Sequence, residues 1–216
     1  MNRFRLAVLV AVVAFAAAAP ALAMTWGGEV FGAFDTHTMS DWKDAVALAN
    51  QSGSNIDDPT SSFGGGLGLR VWPDSHWMIA GTWEPMFLTR KDANSSDKLK
   101  LDANSFQATG GYFFPSTGKA RFGIGAGGGF YSLNGKQETT PSVDLTGSTV
   151  GFHFLGMGEW TVSPGFAVTG SAGYRVAKIT DTKFNDQSTT PSKTETDYSG
   201  LMLRAGVAFY MPTASK

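Results

Sequence analysis

The groups in this chain that could do acid–base or charge chemistry are few. They are three histidines, His37, His76 and His153, and a scatter of arginines and carboxylates. With no cysteine in 216 residues, disulfides, thiolate zinc sites and cysteine nucleophiles are excluded. His37 follows Asp35 and Thr36 and is the natural candidate for a general base, but such a base needs a second positioned partner, and none is visible in the sequence. No spacing of His, Asp and Glu resembles a metal set, and no basic patch argues for nucleic acid. The expectation is a protein that is not an enzyme and has no cofactor and no metal. More telling are Glu29, Arg70, Glu84, Arg121, Glu159, Arg175 and Arg204, each of which interrupts an apolar or glycine-rich stretch.

Those charges sit in segments where apolar residues recur at every second position. Leu201-Met202-Leu203-Arg204-Ala205-Gly206-Val207-Ala208-Phe209 is the clearest: odd positions are apolar, and even ones include Arg204, Gly206 and Ala208. A period of two is a strand with one greasy face. Eight such strands are expected at roughly 24–37, 61–72, 76–89, 99–114, 120–133, 146–162, 166–180 and 197–211. Short turns, Trp72-Pro73-Asp74-Ser75, Pro115-Ser116-Thr117-Gly118-Lys119 and Ser163-Pro164-Gly165, alternate with long polar loops at about 38–60, 90–98, 134–145 and 181–196. The fold class this predicts is all-β, an eight-stranded antiparallel up-and-down transmembrane barrel.

Parity assigns the faces. Trp26, Val30, Phe34, Leu67, Trp83, Phe152 and Leu203 exemplify the outward set, with aromatics in two bands: Trp26, Trp77, Phe114, Phe122, Trp160, Phe166 and Phe209 at the short-turn rim, and Phe34, Phe63, Phe87 and Phe130 at the long-loop rim. Those are the girdles of a membrane barrel. The seven charges and His153 fall on the inward parity, where an ion-paired network would fill a bore barely wide enough for its own side chains. Gly64, Gly66, Gly68, Gly123, Gly125, Gly127 and Gly129 share that parity and leave room for arginine. Strand four breaks the rule: Leu99, Leu101 and Ala103 are odd, whereas Phe106, Ala108 and Tyr112 are even, so a bulge near Asn104 or an extension above the membrane is expected. In the first long loop Ser40 is placed as the cap of a short helix whose apolar stripe is Trp42, Val46 and Ala49.

At the N-terminus, Arg3 and Arg5 precede an apolar run, and Ala21-Leu22-Ala23 supplies a small-x-small cleavage site. Residues 1–23 are read as a cleaved signal peptide and 24–216 as one barrel domain, exported to a bacterial outer membrane. Without Arg3 and Arg5 the basic count falls from 17 to 15 against 18 acidic residues, a slightly acidic mature chain.

Three stretches, Phe63-Gly64-Gly65-Gly66-Leu67-Gly68-Leu69-Arg70, Tyr112-Phe113-Phe114-Pro115-Ser116-Thr117-Gly118-Lys119-Ala120-Arg121-Phe122-Gly123 and Asp197-Tyr198-Ser199-Gly200-Leu201-Met202-Leu203-Arg204-Ala205-Gly206, resemble the small outer-membrane barrels of the OmpA/OmpX and opacity-protein type. Arg204, Gly206, Phe209 and Met211 also resemble the signal read by the barrel assembly machinery, although Pro212-Thr213-Ala214-Ser215-Lys216 follows it. The resemblance implies a monomer whose partners are outer-membrane lipid and lipopolysaccharide, the assembly machinery during insertion, and an unidentified extracellular ligand. It is specific for architecture and not for activity. The expected role is structural or surface-interacting; the alternatives are a small channel or hydrophobic-solute conduit and, less favoured, an outer-leaflet lipid-modifying enzyme.

Overall fold

The computed structural model describes residues 25–95, 97–138, 142–185, 187–188 and 194–211, so the expected signal peptide and Pro212–Lys216 lie outside the described residues. Eight strands, β1 (Thr25–Thr36), β2 (Ser61–Trp72), β3 (Trp77–Phe87), β4 (Ala103–Phe113), β5 (Ala120–Glu138), β6 (Val143–Ser163), β7 (Phe166–Val176) and β8 (Gly200–Tyr210), pair antiparallel with their sequence neighbours. β8 also pairs with β1, from Gly27↔Tyr210 to Asp35↔Met202, and closes the ring without an edge. Closure satisfies the strand hydrogen bonds within the wall, the condition for crossing hydrocarbon with strands. Among the described residues no helix is long and apolar enough to do so.

Alternation along each strand sets the two faces. Exposed outward positions include Val30, Leu67, Leu69, Ile79, Trp83, Phe106, Ile124, Phe152, Phe154, Val168 and Leu203. Near the short turns, exposed Trp26, Trp77, Phe114, Phe122, Trp160 and Phe209, with half-buried Phe166 against Phe209, lie outside, and near the long loops Phe34, Phe63 and Phe87 stand side by side in register. An exterior this apolar fits lipid and would be a large exposed patch in water.

Two expectations for the wall change. Of the two alternatives for strand four, a bulge near Asn104 or an extension above the membrane, the bulge is excluded: β4 pairs continuously with β3 and β5 through Asn104. Leu99, Leu101 and Ala103 have the same inward parity as Ser105, Gln107 and Thr109, and all are buried; what changes there is the polarity of the interior, not the register. Residues 134–138 and 143–145, expected in a loop, extend β5 and β6 beyond the other strands. Outside the membrane the outward face is polar, so Asn134, Lys136 and Glu138 hide the alternation while Leu133 and Leu145 keep pointing in. Short pieces at Lys98–Lys100 and Lys183–Phe184 pair with these extensions.

Helix α1 (Ser40–Gln51) follows β1. Ser40 is its first residue and not its cap: Met39 occupies the cap position in left-handed geometry (φ 45), with no side-chain capping bond. Fully buried, Met39 is held by tertiary packing, and its N–H is used on Asp197 O at 3.2 Å. The Asp41 carboxylate accepts instead from Glu195 N at 2.8 Å, which ties the helix to the last long loop.

Candidate functional site: the filled lumen and its cap

The inward side chains form layers. Nearest the short turns, Arg70 donates from Nε to Glu29 Oε2 (2.9 Å), a second nitrogen pairs with the other Glu29 oxygen, and Nη1 reaches Glu159 Oε2 at 3.3 Å. Arg121 donates to Glu159 Oε1 (Nη2, 2.6 Å) and lies over the Trp72 ring at 3.6 Å, while Tyr210 donates its hydroxyl to Glu159 Oε2 at 2.6 Å. Below this layer is a mouth cavity of about 720 Å³ lined in part by Trp72, Arg121, Glu159 and Tyr210. Above it Leu155, Met157 and Met202 make a buried apolar band, part of a cluster with Met78 and Phe113.

A second ionic layer follows. Arg175, fully buried, faces Asp35 Oδ1 at 3.3 Å and Glu84 Oε1 at 3.5 Å, and donates from Nε to the Tyr198 carbonyl at 3.1 Å. Arg204 pairs with Glu84 and donates to Gln107 Oε1 at 2.9 Å. His153 is buried beside Thr109, Nε2 to Oγ1 2.8 Å. In an eight-membered ring, strands four apart are opposite each other. Arg70–Glu159 joins β2 to β6, Arg175–Glu84 joins β7 to β3, and Arg204–Gln107 joins β8 to β4. Each is a bridge across the bore.

All seven sequence-picked charges therefore enter one of the two layers. Asp35 is a fourth carboxylate that the sequence reading did not pick, although it lies within the expected first strand at the inward parity of Glu29; it stands at the end of β1 beside Thr36 and His37. The inward glycines do not make room for arginine. A Cβ at Gly66 would meet Phe31, at Gly68 Thr82 and Glu29, at Gly127 His153, and at Gly129 Gln107.

Over the upper ionic layer sits an apolar core that the sequence did not reveal: Met86, Leu88, Leu99, Leu101, Tyr131, Leu133, Leu145, Ile179 and Tyr198. α1 closes it. Trp42 and Val46 are buried there and Ala49 is half-buried; Trp42 Nε1 donates to Thr196 Oγ1 at 2.9 Å, and its ring stacks on Phe184 at 6.3 Å.

His37 finds a partner that sequence did not name. Its Nε2 lies 2.8 Å from Ser62 Oγ, and Asp35 stands opposite Ser62 in register. A Ser–His pair is the start of a nucleophilic constellation, but Ser62 is 1% exposed and Asp35 is turned to Arg175. The hydroxyl is thus closed to solvent in this arrangement. Burial, reinforced by the Arg175 charge, lowers the His37 pKa from 6.5 to about 3. A base depressed in the folded state takes its proton only on unfolding. Its contribution to stability is thus complete above about pH 6.5 and falls toward about pH 3, by up to ~1.4 kcal/mol per pH unit. The unfolding midpoint should drop across that window and flatten in His37→Gln; an equal slope in the variant would contradict this. His76 is in the short β2–β3 turn, stacked on Tyr112.

The remaining sequence-picked residues are placed by β8: Arg204 and Gly206 face in, Phe209 and Met211 are exposed. Among the described residues no group of three or more His, Asp and Glu side chains could hold a metal ion.

No family model and no curated protein matches this chain. Solved structures do. The outer membrane protein OprG from Pseudomonas aeruginosa superposes with TM-score 0.57 at 12% identity, covering 87% of this chain and 95% of that one. Neisserial surface protein A gives 0.53 at 15% identity, over 87% and 96%. The N-terminal β-barrel domain of Pseudomonas aeruginosa OprF gives 0.51 at 11%, over 87% and 97%. At such identity the likeness concerns the backbone, and it agrees with the closed ring of eight strands: this chain has the closed eight-stranded barrel fold of small bacterial outer-membrane proteins.

Proposed function

We propose that this chain is an outer-membrane barrel with a closed, non-conducting lumen, and that it acts through its extracellular surface without catalysing a reaction. The observation that carries this reading is the set of bridges between opposite strands, with Arg175, Asp35 and Glu84 fully buried among them. Several kcal/mol per unpaired ion would be needed to open such a layer. The long-loop end supports a surface role because it is built as an ordered cap, with a core of its own under α1. On this reading the cap lies outside the cell, following the general pattern of outer-membrane barrels, whose longer loops are extracellular. The test is solute flux. Liposomes holding the purified barrel should release a small ionic dye no faster than empty ones, and fast release would overturn the reading. The apolar core beneath α1 favours a second reading, a conduit for hydrophobic solutes that opens if the helix lifts; accelerated uptake of such solutes by cells making the barrel would support it.

A further inference from the structure

The cavity of about 720 Å³ at the short-turn mouth has the size of a small-molecule site. It is a dead end, because Arg70 reaches Glu159 across the bore above it at 3.3 Å. Its hydrogen-bonding capacity is one-sided. Glu159 is buried, and its two oxygens already accept from Arg70 Nη1, Arg121 Nε and Nη2, and the Tyr210 hydroxyl. Behind it, Glu29 accepts from Arg70 and from Thr169 Oγ1 (2.6 Å). On the rim, Asp74 Oδ1 is taken by the backbone N–H groups of His76 (2.7 Å) and Trp77 (2.8 Å). Donors are left over. Trp72 lines the cavity and is 3% exposed, yet its indole Nε1–H meets no acceptor among the described residues. Arg121 lies on the Trp72 ring at 3.6 Å with Nε and Nη2 turned to Glu159, which leaves Nη1 for another partner. Lys119, exposed in the β4–β5 turn, lines the same space and makes no ion pair among the described residues. A buried donor without an acceptor is destabilising, so the indole marks a place for an acceptor from outside.

Charge and shape say which acceptor. Arg70, Arg121 and Lys119 are matched one for one by Glu29, Glu159 and Asp74, so the mouth has no surplus charge to neutralise a dianion such as phosphate. What it has is a few unused donors beside the aromatic rings of Trp72 and Tyr210. Those suit a carboxylate, which is singly charged, presents two oxygens in one plane and pairs well with a guanidinium. A carboxylate alone would occupy a small part of the volume, and the rest accommodates the chain that carries it. We propose that this mouth captures the terminal carboxylate of a peptide, with Trp72 Nε1 and Arg121 Nη1 as donors, Lys119 as the facing charge, and the Trp72 and Tyr210 rings beside the last residue. On the outer-membrane reading the short turns face the periplasm, and the peptide comes from that side.

The test is heteronuclear NMR of the full folded chain in zwitterionic detergent. Trp72→Phe keeps a ring and deletes one indole N–H signal, which assigns that signal. Acetyl-Ala-Ala with a free carboxylate should move it saturably, its C-terminal amide should not, and salt should weaken the binding. Arg121→Gln should reduce affinity on the order of tenfold. Because Arg121 also holds Glu159, Lys119→Gln serves as a second variant and should lose roughly two- to fivefold. A heat-dependent gel shift verifies that each variant is folded. An unmoved Trp72 signal, equal movement by the amide, unchanged affinity in folded Lys119→Gln and Arg121→Gln, or equally tight binding of propionate or inorganic phosphate would overturn the proposal. The measurement in detergent does not depend on which way the barrel faces, so its failure would leave the closed-lumen reading, tested by flux, intact.

Discussion

Replacing Arg175 with Met is expected to destabilise the barrel by about 3–5 kcal/mol, a large fraction of what holds most domains together. The volume is nearly kept, so the effect is electrostatic. Arg175 is fully buried and is the ion partner of Asp35, with Glu84 shared between it and Arg204. Removing it strands the Asp35 carboxylate in the lumen and frees the Tyr198 carbonyl that its Nε occupies. The sign of the rescue is as informative as the loss. Asp35→Asn added to Arg175→Met removes the orphaned charge and should recover more than half of the deficit, a coupling of the kind that neighbouring residues show and distant ones do not. Denaturant unfolding followed by the folded-to-unfolded gel shift measures both. A loss below about 1 kcal/mol for Arg175→Met would mean that water reaches this layer and that the bore is not closed there.

The second large effect belongs to the cap. Trp42→Ala removes an indole that is 5% exposed, together with its bond to Thr196 and its stacking on Phe184. Truncations of this kind cost about 3–5 kcal/mol. Here the loss should be local. α1 is joined to the wall by loops, whereas the ring is held by eight strand pairings, and the two can open with different free energies. Proteolysis within residues 40–60 should therefore accelerate by on the order of a hundredfold or more, because cleavage tracks the open population, while the gel shift of the barrel moves little. Loss of the whole fold in this variant would show that cap and wall form one cooperative unit.

How much of this was legible in the sequence depends on what surrounds each residue. In the membrane zone lipid on one side and ions on the other give a two-residue contrast, so Val30 against Glu29, or Leu203 against Arg204, declares its face. Above the membrane that contrast inverts. Leu99, Leu101 and Leu133 point inward while lysines and asparagine point out, and the inversion reads as a broken register although the strand runs straight through Asn104. Long-range geometry was beyond reach for another reason. Asp35 meets Arg175, His37 meets Ser62, and Trp42 meets Thr196 only because the ring closes and the loops fold over it, and no local periodicity encodes those pairs. The cap of α1 shows the same limit, since Ser40 is a good capping residue displaced by a methionine that the core needed.

The closed lumen is the claim on which the functional reading stands, and electrical recording addresses it most directly. Purified barrel inserted into a planar lipid bilayer should give no discrete current steps at either polarity, and Glu84→Gln should remain silent as well, because the lower Arg70–Glu159 bridge and the apolar cap still obstruct the bore. Stable unitary steps from the unmodified protein would contradict the account.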